Sequence, residues 1–356
     1  MQALILAGGE GTRLRPLTST VPKPVLPLAN RPFISYMVDW LEAHGIDDIV
    51  MSCGFLAEQV RAVLGDGAGD GPRIRYVEER TPLGTAGAVK HGEGLLEDRF
   101  AVLNGDILAD FDLTALQRFH AERGAVATIA LTPVEDPSAY GLVRTTDRGE
   151  IEAFVEKPAP DEIDTNLINA GAYVLERSVL DRIEPGRPTS FEREVFPSLI
   201  GAGLYGWPAE GYWIDIGTPE RYLEATSDIL AGRVRTVLDR ALGEERLDIG
   251  SGSRVAAGAS VSPPALIGRD CEIAPDARVG PDVVLGHGCT VASGAVVEHA
   301  VLHDGVRLER GAAVRRSIVG SDAHIGAGAA IEDEAVVGAG AAIDAKAAVA
   351  GERVDG

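Results

Sequence analysis

Apolar residues follow two different rhythms along this chain. From Met1 to about Leu230, short apolar runs alternate with amphipathic stretches of helical length. The runs ALILA, DIVMSC, IRYVEE, FAVLNGD, VATIALT and INAGAYVLE predict strands, and the segments beginning at Phe33, Leu56, Gly87, Leu113 and Pro219 predict helices. Strands separated by helices fold as βαβ units around a mostly parallel sheet. Ligands of such sheets bind at the carboxyl ends of the strands, where the connecting loops gather.

Beyond a charged, helical-looking connector from Arg233 to Arg246, the period becomes six. Val255, Val261, Ile267, Ile273, Val279, Leu285, Val291 and Val297 keep it without a break. The phase shortens by one residue to Leu302, Leu308 and Val314, and again to Val319, Ile325, Ile331, Val337, Ile343 and Val349. Hexads with an inward aliphatic and small residues at the corners predict a left-handed parallel β-helix. The pattern therefore divides the chain into an α/β domain over residues 1–232, a linker over 233–247 and a β-helix over 248–356. Gly356 follows the last hexad closely and no helical pattern intervenes. Another surface, such as a neighbouring subunit, is expected to cover that end, which makes the chain a homo-oligomer through its β-helix.

Length and charge narrow the function. A chain of 356 residues accommodates two domains. No segment reaches the ~18 consecutive apolar residues of a membrane span, and ALILA is cut short by glycines, unlike a signal-peptide core. The formal net charge of -21 argues against nucleic acid or an anionic membrane as partner. Cys53, Cys271 and Cys289 are too scattered for a disulfide framework and form no CxxC pair, so a reducing cytoplasm is the expected location. The seven histidines show no metal-binding spacing.

The first strand, ending at Leu6 and Ala7, runs into Gly8, Gly9, Glu10, Gly11, Thr12 and Arg13. Glycines in that position let backbone N–H groups approach phosphate oxygens. The spacing fits neither the P-loop nor the dinucleotide fingerprint. Its force comes from Arg13, Arg15 and Lys23, cations concentrated in one loop of an acidic chain and stiffened by Pro16, Pro22 and Pro24.

GGEGTRLRPLTSTVPKP resembles the signature of the sugar-1-phosphate nucleotidyltransferases, or NDP-sugar pyrophosphorylases. PLGTAGAV from Pro82, LNGDIL from Leu103, AYGLV from Ala139, FVEKP from Phe154, INAGAYV from Ile168, FPSLI and GYWIDIGTPERY agree in order. The resemblance implies a Rossmann-like catalytic domain and transfer of a nucleotidyl group from an NTP to a sugar 1-phosphate, with release of pyrophosphate. It implies that Asp106 and Asp215 bind Mg2+, whose hard-ligand preference suits carboxylates. Arg13 and Lys23 would neutralise charge on the phosphates, and together with the two aspartates they form the expected catalytic set. Lys157 would grip the sugar phosphate, with Gly141, Glu156 and Asn169 against the sugar. Leu6, Ala7, Gly8, Gly9, Gly11, Thr12, Arg13, Glu79, Gly84 and Thr85 are the expected nucleotide contacts. The attacking phosphate is already an anion, so no general base is required.

Within the family, PKP, LGTAGA, INAGAYV, PTSFEREVFP and GYWIDIGTPERY are most similar to the mannose-1-phosphate guanylyltransferase branch. Glu79 adds a chemical reason. Guanine presents N1–H and N2–H as adjacent donors that one carboxylate accepts, whereas thymine and uracil flank a single N–H with carbonyls. The alternatives are glucose-1-phosphate thymidylyl or uridylyl transfer, and a non-catalytic regulatory subunit of the same fold. An added acetyl transfer by the β-helix would need a base among His287, His299, His303 and His324, around which no recognisable motif stands.

Overall fold

The computed structural model describes residues 1–356 apart from 55, 68–70 and 157. In chain order the first half carries strands β1 (Gln2–Ala7), β2 (Pro27–Leu28) and β3 (Arg31–Pro32), helix α1 (Phe33–Ala43), β4 (Asp48–Cys53), α2 (Ala57–Leu64), β5 (Arg73–Glu78) and α3 (Gly84–His91). There follow β6 (Arg99–Asn104), β7 (Ile107–Ala109), α4 (Leu113–Arg123), β8 (Ala127–Pro133), β9 (Gly141–Thr145), β10 (Ile151–Glu156) and β11 (Leu167–Glu176). The series continues through α5 (Phe196–Leu199), β12 (Leu204–Pro208), β13 (Trp213–Asp215), α6 (Pro219–Ala231) and α7 (Asp239–Leu242).

The chain divides into two compact units. One comprises Met1–Glu10 and Ile34–Trp213, the other Gly11–Phe33 and Ile214–Gly356. In the first unit a mixed sheet runs in the order β10-β9-β11-β6-β1-β4-β5, with β8 and β12 joined through β11. Strands β6, β1, β4 and β5 are parallel neighbours. The apolar runs of β6, β1 and β4 are buried on both faces, as β1 shows from Ala3 to Ile5, while in β5 at the end of the row only Ile74 is buried. The pairs β10–β9 and β11–β6 are antiparallel, a reversal that the strand–helix alternation did not announce. Tyr173, Phe191 and Phe196 close the core under β11, with Tyr173 and Phe196 ring centroids 5.0 Å apart.

The predicted helices form, with local reasons at their ends. Asp112 caps α4 by accepting from Ala115 N at 3.0 Å, and Gly124 ends that helix in the left-handed region. Helix α3 starts at Gly84, three residues before the predicted Gly87. The connector expected to be helical holds only the short α7 and turns.

In the second unit, Leu247–Val354 winds as the left-handed β-helix. Its strands stack in parallel into three sheets among the described residues. Inward residues from Ile267 to Val349 form one continuous core. Leu285 pairs with Leu302 and Leu302 with Val319, so the two shortened steps keep every inward aliphatic in register. Among the described residues no helix is long and apolar enough to cross a membrane.

Candidate functional site

The carboxyl ends of β1, β4, β5 and β6 lie side by side: Ala7 is opposite Cys53, Cys53 opposite Glu78, and Leu6 opposite Asn104. The loops that leave these ends carry Gly8, Gly54, Glu79 and Gly105–Asp106. Gly105 donates its N–H to Leu6 O at 2.9 Å. A Cβ on Gly105 would stand 2.5 Å from that oxygen, which is why the residue before Asp106 must be glycine. Asp106 itself is half-buried.

Glu79 is fixed at both oxygens. Ser52 Oγ donates to Oε1 at 2.9 Å and Leu83 N donates to Oε2 at 3.1 Å. A Cβ on Gly8 would lie 3.1 Å from Glu79 Oε1, so the carboxylate lines the space beside the first glycine of the loop. Each oxygen of a carboxylate has a second lone-pair site, so two further donors can be accepted.

Gly84 begins α3 with φ +69°, and a Cβ there would meet Thr189 O at 2.7 Å. Thr85 Oγ1 donates to Glu192 Oε2 at 2.8 Å and accepts from Phe191 N at 2.9 Å. Ser190 Oγ donates to the same Glu192 oxygen at 2.6 Å. Glu192 lies in a single π-helical turn over Phe191–Val195. Such turns are frequent at functional sites.

The same network reaches Asn169, one of the residues expected against the sugar. Asn169 Nδ2 donates to Tyr173 Oη at 2.9 Å, and Tyr173 Oη donates to Glu192 Oε1 at 3.4 Å. Burial, then the Glu192 charge, holds the Tyr173 phenol well above its ordinary pKa, which keeps it a donor. Gly171, at φ +71°, donates its N–H to Asn169 Oδ1 at 2.9 Å, so the Asn169 amide is held in one orientation. Gly141 pairs with Glu156 across β9 and β10, and Leu142 pairs with Ile168, so Gly141, Glu156 and Asn169 share one end of neighbouring strands. Lys157 lies outside the described residues.

In the second unit, Gly11 adopts φ +62° at the start of the cationic loop. A Cβ there would meet Lys23 Cβ at 3.1 Å and Thr18 Cγ2 at 3.2 Å, while Thr18 Oγ1 donates to Gly11 O at 2.8 Å. Lys23 is buried and Arg13 is exposed within a single 3-10 turn over Thr12–Leu14. A Cβ on Gly217 would lie 2.6 Å from Arg13 Nη2 and 3.0 Å from Asp215 Oδ2, so this guanidinium and carboxylate meet over one glycine.

The first unit therefore brings together Leu6, Ala7, Gly8, Gly9, Glu79, Gly84, Thr85 and Asp106 along one sheet edge, with Gly141, Glu156 and Asn169 on neighbouring strands. The second unit brings together Gly11, Thr12, Arg13, Lys23 and Asp215. Sequence reasoning missed Ser52, Glu192 and Asn104, whose buried Oδ1 has no partner among the described residues. Only PTSFEREVFP pointed towards Glu192. An open depression of about 790 Å³ lined by Met1, Glu97 and Arg99 lies at the amino ends of β1 and β6. It is at the wrong edge for a parallel-sheet ligand. The β-helix histidines already have partners: His299 with Asp282, His324 with Glu309 and His287 with Arg269 N within the β-helix, and His303 with Tyr222 of α6.

The family model described as Nucleotidyl transferase matches residues 2–232, and that of the GMPPB C-terminal domain matches residues 249–355. A mannose-1-phosphate guanylyltransferase of Mycobacterium tuberculosis is 40% identical over 320 residues, covering 89% of this chain and 83% of the relative. A mannose-1-phosphate guanyltransferase of Schizosaccharomyces pombe is 41% identical over 345 residues, covering 94% and 90%. A UTP--glucose-1-phosphate uridylyltransferase of Synechocystis is 34% identical, covering 94% and 91%. Among solved structures, HddC from Yersinia pseudotuberculosis complexed with GMP-PN is similar with TM-score 0.55 and 28% identity, over 64% of this chain and 99% of that one.

Proposed function

The chain belongs to the nucleotidyl transferase family, and on that premise we propose that it transfers the guanylyl group of GTP to mannose 1-phosphate, forming GDP-mannose and pyrophosphate. The observation that carries the choice of base is the Glu79 carboxylate, oriented by Ser52 and Leu83 beside Gly8 with acceptor capacity to spare. Guanine N1–H and N2–H are two adjacent donors that match it. The relatives at 40 and 41% identity bear the names of guanylyl-transferring enzymes acting on mannose 1-phosphate. The uridylyl-transferring relative is less similar, at 34%. Thymidylyl or uridylyl transfer and a non-catalytic role are not favoured.

Enzymes of this family generally use a divalent metal. Asp106 and Asp215, half-buried carboxylates, have the hard oxygens that suit Mg2+, which is typically held by one or two carboxylates plus substrate phosphates. When bound, the ion would screen the triphosphate charge. The rest falls to the chain. The backbone of Gly8, Gly9, Gly11 and Thr12 approaches the phosphates, and Arg13 and Lys23 neutralise charge passing to pyrophosphate. Lys157, Gly141, Glu156 and Asn169 hold the sugar phosphate in line. Homo-oligomerisation and a cytoplasmic location belong to the same proposal. Ile249 and Val255, exposed in the first coil of the β-helix, support the former.

The test is the product. Incubation with GTP, mannose 1-phosphate and Mg2+ is expected to yield GDP-mannose and one pyrophosphate per turnover, detected chromatographically. Absence of GDP-mannose under these conditions would end the proposal.

A further inference from the structure

The cationic loop has little regular structure to hold it. Between Gly11 and Phe33 it contains short 3-10 turns and the two-residue strands β2 and β3, yet it forms a compact unit with Ile214–Gly356. Three bonds from that later part of the chain attach to its backbone or side chains on both sides of Lys23. Before Lys23, Arg353 Nη1 donates to Arg15 O at 2.9 Å. After it, Asn30 Nδ2 donates to Leu285 O at 2.7 Å, and Tyr222 Oη donates to Pro27 O.

The Tyr222 attachment has a further link. Tyr222 Oη also lies 3.0 Å from His303 Nε2, and both residues are buried. Pro27 O can only accept, so the single phenolic proton points to it. His303 Nε2–H must then donate to the phenolic oxygen. A directed chain thus runs from a coil of the β-helix through α6 to the loop: His303 to Tyr222 to Pro27.

We propose that the β-helix is a positioning element for the cationic loop, with Arg353 and the His303–Tyr222 pair as its attachment points. The hexapeptide domain then acts on the phosphate-neutralising residues Arg13 and Lys23 as well as on assembly. A loop freed at either end samples more conformations, and each bond lost weakens the alignment of cations that transition-state stabilisation requires. This inference rests on the guanylyl transfer proposed above.

The full chain is tested as Arg353→Ala, Arg353→Lys and Tyr222→Phe, with two readouts. The first is amide hydrogen exchange of residues 12–26 in the free protein, which does not depend on activity. The second is the kcat and KM of pyrophosphate release from GTP and mannose 1-phosphate. Arg353→Ala and Tyr222→Phe are expected to speed loop exchange and lower kcat by roughly two- to tenfold, the loss of one hydrogen bond. The KM for the sugar phosphate should not change. Arg353→Lys keeps a donor and should recover part of both losses. Unchanged loop exchange in both Arg353→Ala and Tyr222→Phe overturns the inference even if the wild-type chain transfers no guanylyl group. Wild-type kcat in both variants overturns it as well.

Discussion

Glu79 shows how much of this site is built by partners that the sequence does not set beside it. Ser52 and Leu83 orient its carboxylate, and Gly8 leaves it room. Replacing one carboxylate oxygen by an NH2 puts a donor against a guanine donor. Glu79→Gln should therefore lower kcat/KM for GTP by roughly tenfold or more, the scale of a charge-assisted hydrogen bond. Turnover with dTTP should hold or rise. An unchanged GTP-to-dTTP preference in steady-state assays removes the base-reading role. Asp106 allows a cleaner test of the metal. Asp106→Ala should abolish detectable turnover while circular dichroism and thermal midpoint stay near wild type, because the side chain lies in a loop, at a half-buried position after β6. Near-normal turnover would exclude it as a metal ligand.

At the scale of elements, the hexapeptide coils carry a buried base that titrates. Burial holds the His303 imidazole down to about 4 from its ordinary 6.5, partly offset by the neighbouring Asp304 carboxylate. Tyr222 also faces it. Because the folded pKa lies below the unfolded one, neutral His303 contributes stability fully present above pH 6.5 and lost as pH falls toward 4. The loss is on the order of 3 kcal/mol. Denaturant unfolding at pH 7 and pH 4 should show a smaller acid loss in His303→Leu than in wild type. Equal losses in both would mean that His303 does not set the acid sensitivity.

The elements themselves were largely legible. Buried β1, β4 and β6 are unbroken apolar runs, and the inward ladder from Ile267 to Val349 is a strict period. Other features depended on distant residues. Gly84 takes its left-handed turn against Thr189, which moves the start of α3 back from Gly87. The π-helical turn at Phe191–Val195 places Glu192 against Thr85, 107 positions away in sequence. No local pattern predicts such pairings. The antiparallel strands β9 to β11 were likewise hidden, because strand periodicity is the same for either pairing direction.

For the whole molecule, chain order says little about which distant residues hold a loop. The loop Gly11–Phe33 follows the first strand directly, yet it joins the compact unit formed by Ile214–Gly356. A reading that moves along the sequence assigns the loop to its neighbours, whereas Arg353, Tyr222 and Leu285 hold it from far downstream. The overall charge of -21 gives the same lesson in electrostatic form. An acidic chain can serve polyanionic substrates only where cations are concentrated, and Arg13, Arg15 and Lys23 do this within one loop. The central claim is guanylyl transfer to mannose 1-phosphate. It is tested most directly by kcat/KM for pyrophosphate release across GTP, dTTP, UTP and ATP, each paired with mannose 1-phosphate and glucose 1-phosphate. GTP with mannose 1-phosphate is expected to exceed every other pair by at least about tenfold, a difference of about 1.4 kcal/mol in transition-state binding. A higher value for dTTP or UTP with glucose 1-phosphate would contradict the account.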